Sequence, residues 1–267
     1  MSGITRRPEI ADHQTVDLSG ARRVLVFGDV HGNLALLRTK LAEMGYAPSS
    51  GDVAISVGDW LDRGPDDLAV GDFLAEHPEI RWVRGNHEDI LRNACQPGGR
   101  FSSNQAAAML IRNGGGWILD QLHETENRPN DQVVELADLL NTGPVAMTVL
   151  TPGGRRVGIV HAAVPADSWT DLVDALEGPD PHREDMAFHT MCDRAAAHYA
   201  IRAAKDGQVL DDMIVPGIDH VFHGHTRTGE RPVRHGNQTW LDTGAYRTGI
   251  LTMVDIDQWI ATASSHH

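Results

Sequence analysis

Residues 22–33 read RRVLVFGDVHGN, a short apolar run broken by a glycine and followed at once by Asp29 and His31. A Val, Leu and Phe run of this length suits a buried strand, and the polar cluster marks its end. Beyond it, Leu34, Leu37, Leu41 and Met44 recur at helical spacing. The alternation continues: VAISV at 53–57 predicts a second strand, 66–76 a second helix and 80–83 a third strand. Such alternation predicts parallel strands joined by helical crossovers. After a helical middle region, short strands are expected at 145–150, 157–160, 220–222, 239–241 and 250–254. Their close spacing assigns them to a second sheet. The predicted fold class is α/β: two packed mixed β-sheets flanked by helices.

Residues 1–20 are polar and read as an N-terminal extension, 21–258 as one domain, and 259–267 as a C-terminal tail. The final Ser264-Ser265-His266-His267 resembles the start of a purification tag. Across 267 residues, 23 Lys and Arg face 37 Asp and Glu, a net charge of −14. That balance argues against a nucleic-acid partner, which needs a basic surface to displace counterions. No apolar run approaches the ~18 residues of a membrane helix, so no membrane partner is expected. The first residues lack the apolar stretch of a signal peptide. Two cysteines, Cys95 and Cys192, are too few for a disulfide framework and read as free thiols in a reducing cytoplasm. Fifteen histidines direct attention to metal.

Each informative polar cluster follows an expected strand. Gly28-Asp29-Val30-His31-Gly32-Asn33 follows the first, Gly58-Asp59-Trp60-Leu61-Asp62-Arg63-Gly64 the second, and Arg84-Gly85-Asn86-His87-Glu88 the third. His161 and His225 follow later strands. Carboxyl ends of parallel strands share one sheet edge, so residues distant in sequence converge there. Asp29, Asp59, Asn86, His31, His161 and His225 together offer two carboxylates, an amide and three imidazoles. This nitrogen-and-oxygen set suits Mn, Fe or Zn and is too nitrogen-rich for calcium. Any single Gly-Asp or lone histidine is ordinarily a turn or a structural residue; five clusters in order are not. His13, His77, His123, His182, His198 and His235 have no such setting and read as solvated or structural.

The combination GDVHGN, GDWLDRG and RGNHE, with the later His161 and His225, resembles the serine/threonine phosphoprotein phosphatase family of binuclear metallophosphoesterases. The resemblance covers roughly residues 22–255, and the context Asn113-Gly114-Gly115-Gly116-Trp117 is similar to small bacterial and bacteriophage members. It implies a calcineurin-like architecture and two divalent ions, Mn foremost with Fe or Zn as alternatives. By matched motif, Asp29 and His31 would hold the first ion, Asp59 would bridge, and Asn86, His161 and His225 would hold the second. His87 would be the general acid with Asp62 as its partner, and Arg63 would grip the substrate phosphate. A second phosphate-binding arginine falls at Arg194, after Cys192 where the family usually has an aromatic. A sister branch, the dinucleoside tetraphosphate hydrolases, usually lacks the second aspartate of GDxxDRG and reads GNHD. Asp62 and Glu88 favour the protein-phosphatase branch.

The implied reaction is hydrolysis of phosphoserine and phosphothreonine, with phosphotyrosine open, by a metal-bridging hydroxide. Two ions acidify a shared water and offset the dianionic phosphate. A serine alkoxide leaves poorly, so a protonated His87 oriented by Asp62 is needed. Arg63 offers a planar, always-charged fork for phosphate oxygens. The expected partner is a phosphorylated protein or a small phosphoester. A cysteine-dependent phosphatase is disfavoured, because only four residues separate Cys95 from Arg100 and no strand leads into them. A phosphoprotein-binding module without turnover is the remaining alternative. Residues 95–130 and 165–215 would form the rim, with Trp60, Trp117 and Trp169 either lining it or lying in the core.

Overall fold

The computed structural model of the chain describes residues 11–96, 100–123 and 128–263. The stretch that opens the fold is β2 (Arg23–Phe27), and its neighbours are β1 (His13–Asp17) and α1 (Leu34–Glu43). β3 (Asp52–Ser56), α2 (Ala69–Glu76), β4 (Ile80–Trp82) and α3 (Asn86–Ala94) follow. A small hairpin of β5 (Cys95–Gln96) and β6 (Arg100–Phe101) leads to α4 (Asn104–Arg112) and α5 (Asp131–Leu140). Next come β7 (Ala146–Leu150), β8 (Arg156–Val160), α6 (Trp169–Leu176), α7 (His182–Cys192) and α8 (Ala195–Lys205). The chain then runs through β9 (His220–His223), β10 (Val233–His235), β11 (Gln238–Trp240), α9 (Ala245–Thr248), β12 (Met253–Asp255) and α10 (Ile256–Ala263).

One sheet has the order β12-β2-β3-β4 and the other β1-β7-β8-β9-β11-β10. β2, β3 and β4 run parallel, as do β8 and β9. Strand periodicity explains the layering, because successive side chains point to opposite faces and both faces are buried. Val24 and Val26 of β2 join Ile55, Met147, Val157 and Phe222 between the two sheets. Leu25 and Phe27 face the other way, into a core shared with Leu37, Phe73 and Leu136 of the covering helices. Trp169 and Leu172 of α6 cover the far face of the second sheet. The carboxyl ends of β2, β3, β4, β8 and β9 carry all five polar clusters.

Four expectations need correction. The N-terminal extension contains β1, which pairs in parallel with β7 and buries Val16 and Leu18 between the sheets. His13 anchors that edge, its ring bonded to Glu177 at 2.8 Å and Thr148 at 2.9 Å. The strand near 250–254 is β12, which joins the first sheet antiparallel to β2 rather than the second. The domain also runs past residue 258, since α10 packs Ile256 and Ile260 into the inter-sheet core. The second helix starts at Ala69, three residues after the expected Asp66, because Asp67 accepts the backbone N–H of Asp62 at 2.6 Å. Trp60 and Trp169 are core residues. Residues 1–10, 97–99, 124–127 and 264–267 lie outside the described residues, so part of the Cys95–Arg100 segment, part of the expected rim and the tag-like end do too. Among the described residues no helix is long and apolar enough to cross a membrane.

Leu18→Ala should cost about 2–3 kcal/mol, the usual loss for truncating a buried leucine. The melting temperature should fall by ~5–10 °C. A detached extension would show no shift in a thermal denaturation scan.

Candidate metal centre

Five non-glycine residues of the described chain have left-handed backbone: His31, Asp59, Asp62, Arg63 and His225, with φ between 47° and 72°. All five are predicted site residues. Left-handed geometry costs an L-residue roughly 1–2 kcal/mol, so its restriction to the site marks a backbone held for function. Glu88 does much of the holding at Asp59. Its carboxylate accepts the backbone N–H of Asp59 at 2.9 Å, Trp60 at 2.8 Å and Gly85 at 2.7 Å. A Cβ on Gly85 would lie 2.2 Å from Asp59 Oδ1, so only glycine lets the loops after β3 and β4 close on this carboxylate.

Three imidazoles converge on Asp59. His31 donates Nδ1–H to the Leu61 carbonyl at 2.7 Å, leaving Nε2 unprotonated and 3.6 Å from Asp59 Oδ2. His161 donates Nδ1–H to the Val57 carbonyl at 2.7 Å, which turns Nε2 toward Asp59 Oδ1 at 3.2 Å and Asn86 Oδ1 at 3.3 Å. His225 donates Nε2–H to the Cys192 carbonyl at 3.1 Å and presents Nδ1 instead. Spending one ring nitrogen on a carbonyl fixes the tautomer and aims the other lone pair, as for metal-ligating histidines generally. Two sets of potential ligand atoms thus lie within 4.8 Å of one another: His31, Asp59 and His87, and Asp59, His161 and His225. Asp59 belongs to both, one oxygen to each. Nitrogen–oxygen separations of 3.2–3.8 Å suit pairs of ligands each about 2 Å from one ion. The residues fit two divalent cations.

His87 enters the first set through Nε2, 3.8 Å from Asp59, but its other nitrogen bonds Asp62 at 2.5 Å. Asp62 is fully buried and also accepts from Trp117 Nε1 at 2.8 Å. Arg63 is exposed at the mouth, its two terminal nitrogens donating to His31 Nε2 at 2.7 Å and His87 Nε2 at 2.8 Å. Arg194 approaches from the far side, donating to the His225 carbonyl at 2.8 Å with a second nitrogen 3.5 Å from His225 Nδ1. Asp29 falls in neither set: both its oxygens accept the backbone N–H of His225, at 2.9 and 3.1 Å.

Electrostatics reflect this crowding. Burial favours a protonated Asp59, yet the facing rings of His161 and His87 outweigh it and hold the carboxyl well below its usual range. Burial opposes charge on His161, but Asp59 beside it prevails and pushes its pKa up to about 9. Burial pushes His31 down to about 3 and His225 down to about 2. Burial, then the charge of Asp242, raises Asp29 well above the usual carboxylate range.

A family model for calcineurin-like phosphoesterases matches residues 22–228. The chain belongs to the calcineurin-like phosphoesterase family. It is similar to serine/threonine-protein phosphatase 1 of Salmonella typhimurium, 29% identical over 252 residues, with 94% of this chain and 99% of that protein covered. Serine/threonine-protein phosphatase 2 of the same organism is 32% identical over 240 residues, covering 88% of this chain and 93% of its own. A solved structure named as a candidate diadenosine tetraphosphatase superposes with a TM-score of 0.53 at 18% identity, covering 92% of this chain and 98% of that one. The calcineurin-like fold and a phosphoester-hydrolysing enzyme follow from these matches.

Within this calcineurin-like phosphoesterase, sequence reasoning missed several supports. Asp67, pushed up to about 7 by burial, pins the Asp62 backbone. Tyr246 packs edge-on against His31 at 5.1 Å, with the Arg63 guanidinium 5.1 Å from its ring. Asp242 is buried beside Asp29. Only Asp67 carried a signal, standing five residues after Asp62 in a polar loop.

Divalent-ion uptake should release protons near neutral pH, chiefly from His161, since His31 and His225 are already neutral. Affinity should rise with pH until about 9, the value to which His161 is pushed. Calorimetric titration of manganese in buffers of different ionisation enthalpy should report at least one proton released at pH 7. Zero release would contradict this charge state.

Proposed function

We propose that the chain is a phosphomonoesterase that removes phosphate from phosphoserine and phosphothreonine in proteins, using two divalent ions. Manganese is the first choice, with iron or zinc next, because the ligand set is mixed nitrogen and oxygen. The observation that carries the reading is the junction of two features. Three imidazoles surround the Asp59 carboxylate, and an Arg63 fork and a His87–Asp62 pair stand beside it. Likeness to two proteins named serine/threonine-protein phosphatases over nearly their whole length supports the substrate class.

When bound, the ions supply positive charge for the phosphate and acidify the attacking water. In this reading Asp59, His31 and Asp29 would hold one ion, and Asp59, Asn86, His161 and His225 the other. Asp29 also fixes the backbone of His225, whose N–H both its oxygens accept. The remaining work falls to the chain's own groups. Arg63 presents its fork toward the cluster from an exposed position, where phosphate oxygens can replace the imidazoles it now contacts. Arg194 offers a second cation from the side of His225.

His87 handles the proton. Asp62 takes the Nδ1–H, so Nε2 faces the reacting side. Burial opposes its protonation, but Asp59 and the bond to Asp62 outweigh burial and raise its pKa. A protonated Nε2 can then donate to the departing serine oxygen. Trp117 and Asp67 keep Asp62 in register for that purpose. Free thiols at Cys95 and Cys192 suit a reducing cytoplasm.

His87→Asn should retain metal and lower kcat on a phosphoserine peptide by ~10²–10⁴-fold, the range for a lost general acid. The loss should be much smaller with p-nitrophenyl phosphate, whose leaving group departs without a proton. Metal analysis with kinetics on both substrates decides it. Lost metal would make His87 a ligand, and equal losses on both substrates would remove the general-acid role.

A further inference from the structure

The chain carries a net charge of −14, yet a cleft of about 400 Å³ beside His225 is walled by Arg194, Arg202, Lys205 and Arg227. His198 and Thr226 also line it, and no Asp or Glu does. Several other cations of this chain are matched: Arg22 and Arg23 hold Asp52, Arg38 holds Glu76, and Lys40 holds Glu43. Among the described residues, none of the four cleft cations has a carboxylate within ion-pair distance. Four unpaired cations on one wall repel one another, and an acidic protein has carboxylates to spare. Their separation from those carboxylates leaves a positive focus for an anion.

The cleft is continuous with the metal centre. Arg194 donates to the His225 carbonyl at 2.8 Å, Thr226 follows His225 in the chain, and Arg227 lies 6.0 Å from the Tyr246 ring. From there the cations lead away along α8. Arg194, His198 and Arg202 stand four residues apart and Lys205 three further on, so they share one helix face. Eleven residues span about 16 Å at 1.5 Å per residue. An extended peptide covers that distance in about five residues, and its same-side side chains recur every ~6.7 Å, close to the ~6 Å step along the helix. No Phe, Tyr or Trp lines the cleft, so it lacks the large aromatic platform on which nucleobases usually stack.

We propose that this cleft binds the acidic flank of a phosphoprotein substrate, taking Asp, Glu or further phosphorylated residues within about five positions of the residue being dephosphorylated. The proposal rests on the phosphoprotein-phosphatase reading and names its substrate class. Arg194 works at both ends, while Arg202, Lys205 and Arg227 serve the flank alone.

The test compares two phosphoserine peptides of equal length, one with Asp and Glu flanks and one with Asn and Gln, with p-nitrophenyl phosphate as a reference. Wild type should prefer the acidic peptide by roughly fivefold in kcat/KM, mainly through KM, as expected for a few exposed charge pairs. The preference should shrink as salt screens exposed charges. Arg202→Ala/Lys205→Ala should bring the ratio near one with p-nitrophenyl phosphate turnover unchanged, and Arg202→Lys/Lys205→Arg should keep it. Equal rates on both peptides in wild type, or an undiminished preference in the alanine variant, would overturn the proposal. So would a variant that loses only diadenosine tetraphosphate turnover, because the cleft would then serve a phosphate chain. Wild type that hydrolyses p-nitrophenyl phosphate but neither peptide would remove the protein-phosphatase reading itself.

Discussion

Asp59 is a buried carboxylate in left-handed backbone at the meeting point of three loops, and neither condition survives without its neighbours. Desolvating a carboxylate costs several kcal/mol unless opposite charge or hydrogen bonds offset it. The peptide geometry is fixed by Glu88, which gathers backbone N–H groups from the loops after β3 and β4. The charge is met by imidazoles, and in their present state a proton on His161 stands where a cation fits. Arg63 likewise sets its guanidinium against the free nitrogens of His31 and His87.

That demand explains the arrangement of the fold. Two sheets packed through β-branched residues are stiff, and the strands whose carboxyl ends bear the site run parallel within each sheet. Loops leaving those ends can therefore hold strained backbone that a flexible segment would relax. Carbonyls at Leu61, Val57 and Cys192 each take one imidazole N–H, so the rings are oriented by main chain. The pair His87 and Asp62 stands apart, since Asp62 is tied to Trp117 and its backbone to Asp67. The imidazoles held by main-chain carbonyls and the His87–Asp62 pair thus use separate supports around one carboxylate.

The strands and the clusters after them were legible because buried strands ended by glycine and a polar group are a strong local pattern. β1 was not, because HQTVD buries only His13 and Val16, a pattern too sparse for periodicity to reveal. β12 was expected in the wrong sheet, since sheet membership is decided by long-range pairing with β2. At the site, residue types and loop positions were readable, and the roles attached to them came from the family resemblance. Glu88 was noticed as a motif letter, but its part as acceptor for three backbone N–H groups depends on two loops meeting. Tyr246 and Asp242 arrive from a distant segment that carries no motif of its own.

The central claim is that Asp59 is shared by two ions. Anomalous diffraction from manganese-soaked crystals measures this directly. Two peaks should flank Asp59, one against His31 and the other against His161 and His225. A single peak, or peaks that do not touch Asp59, would contradict the account.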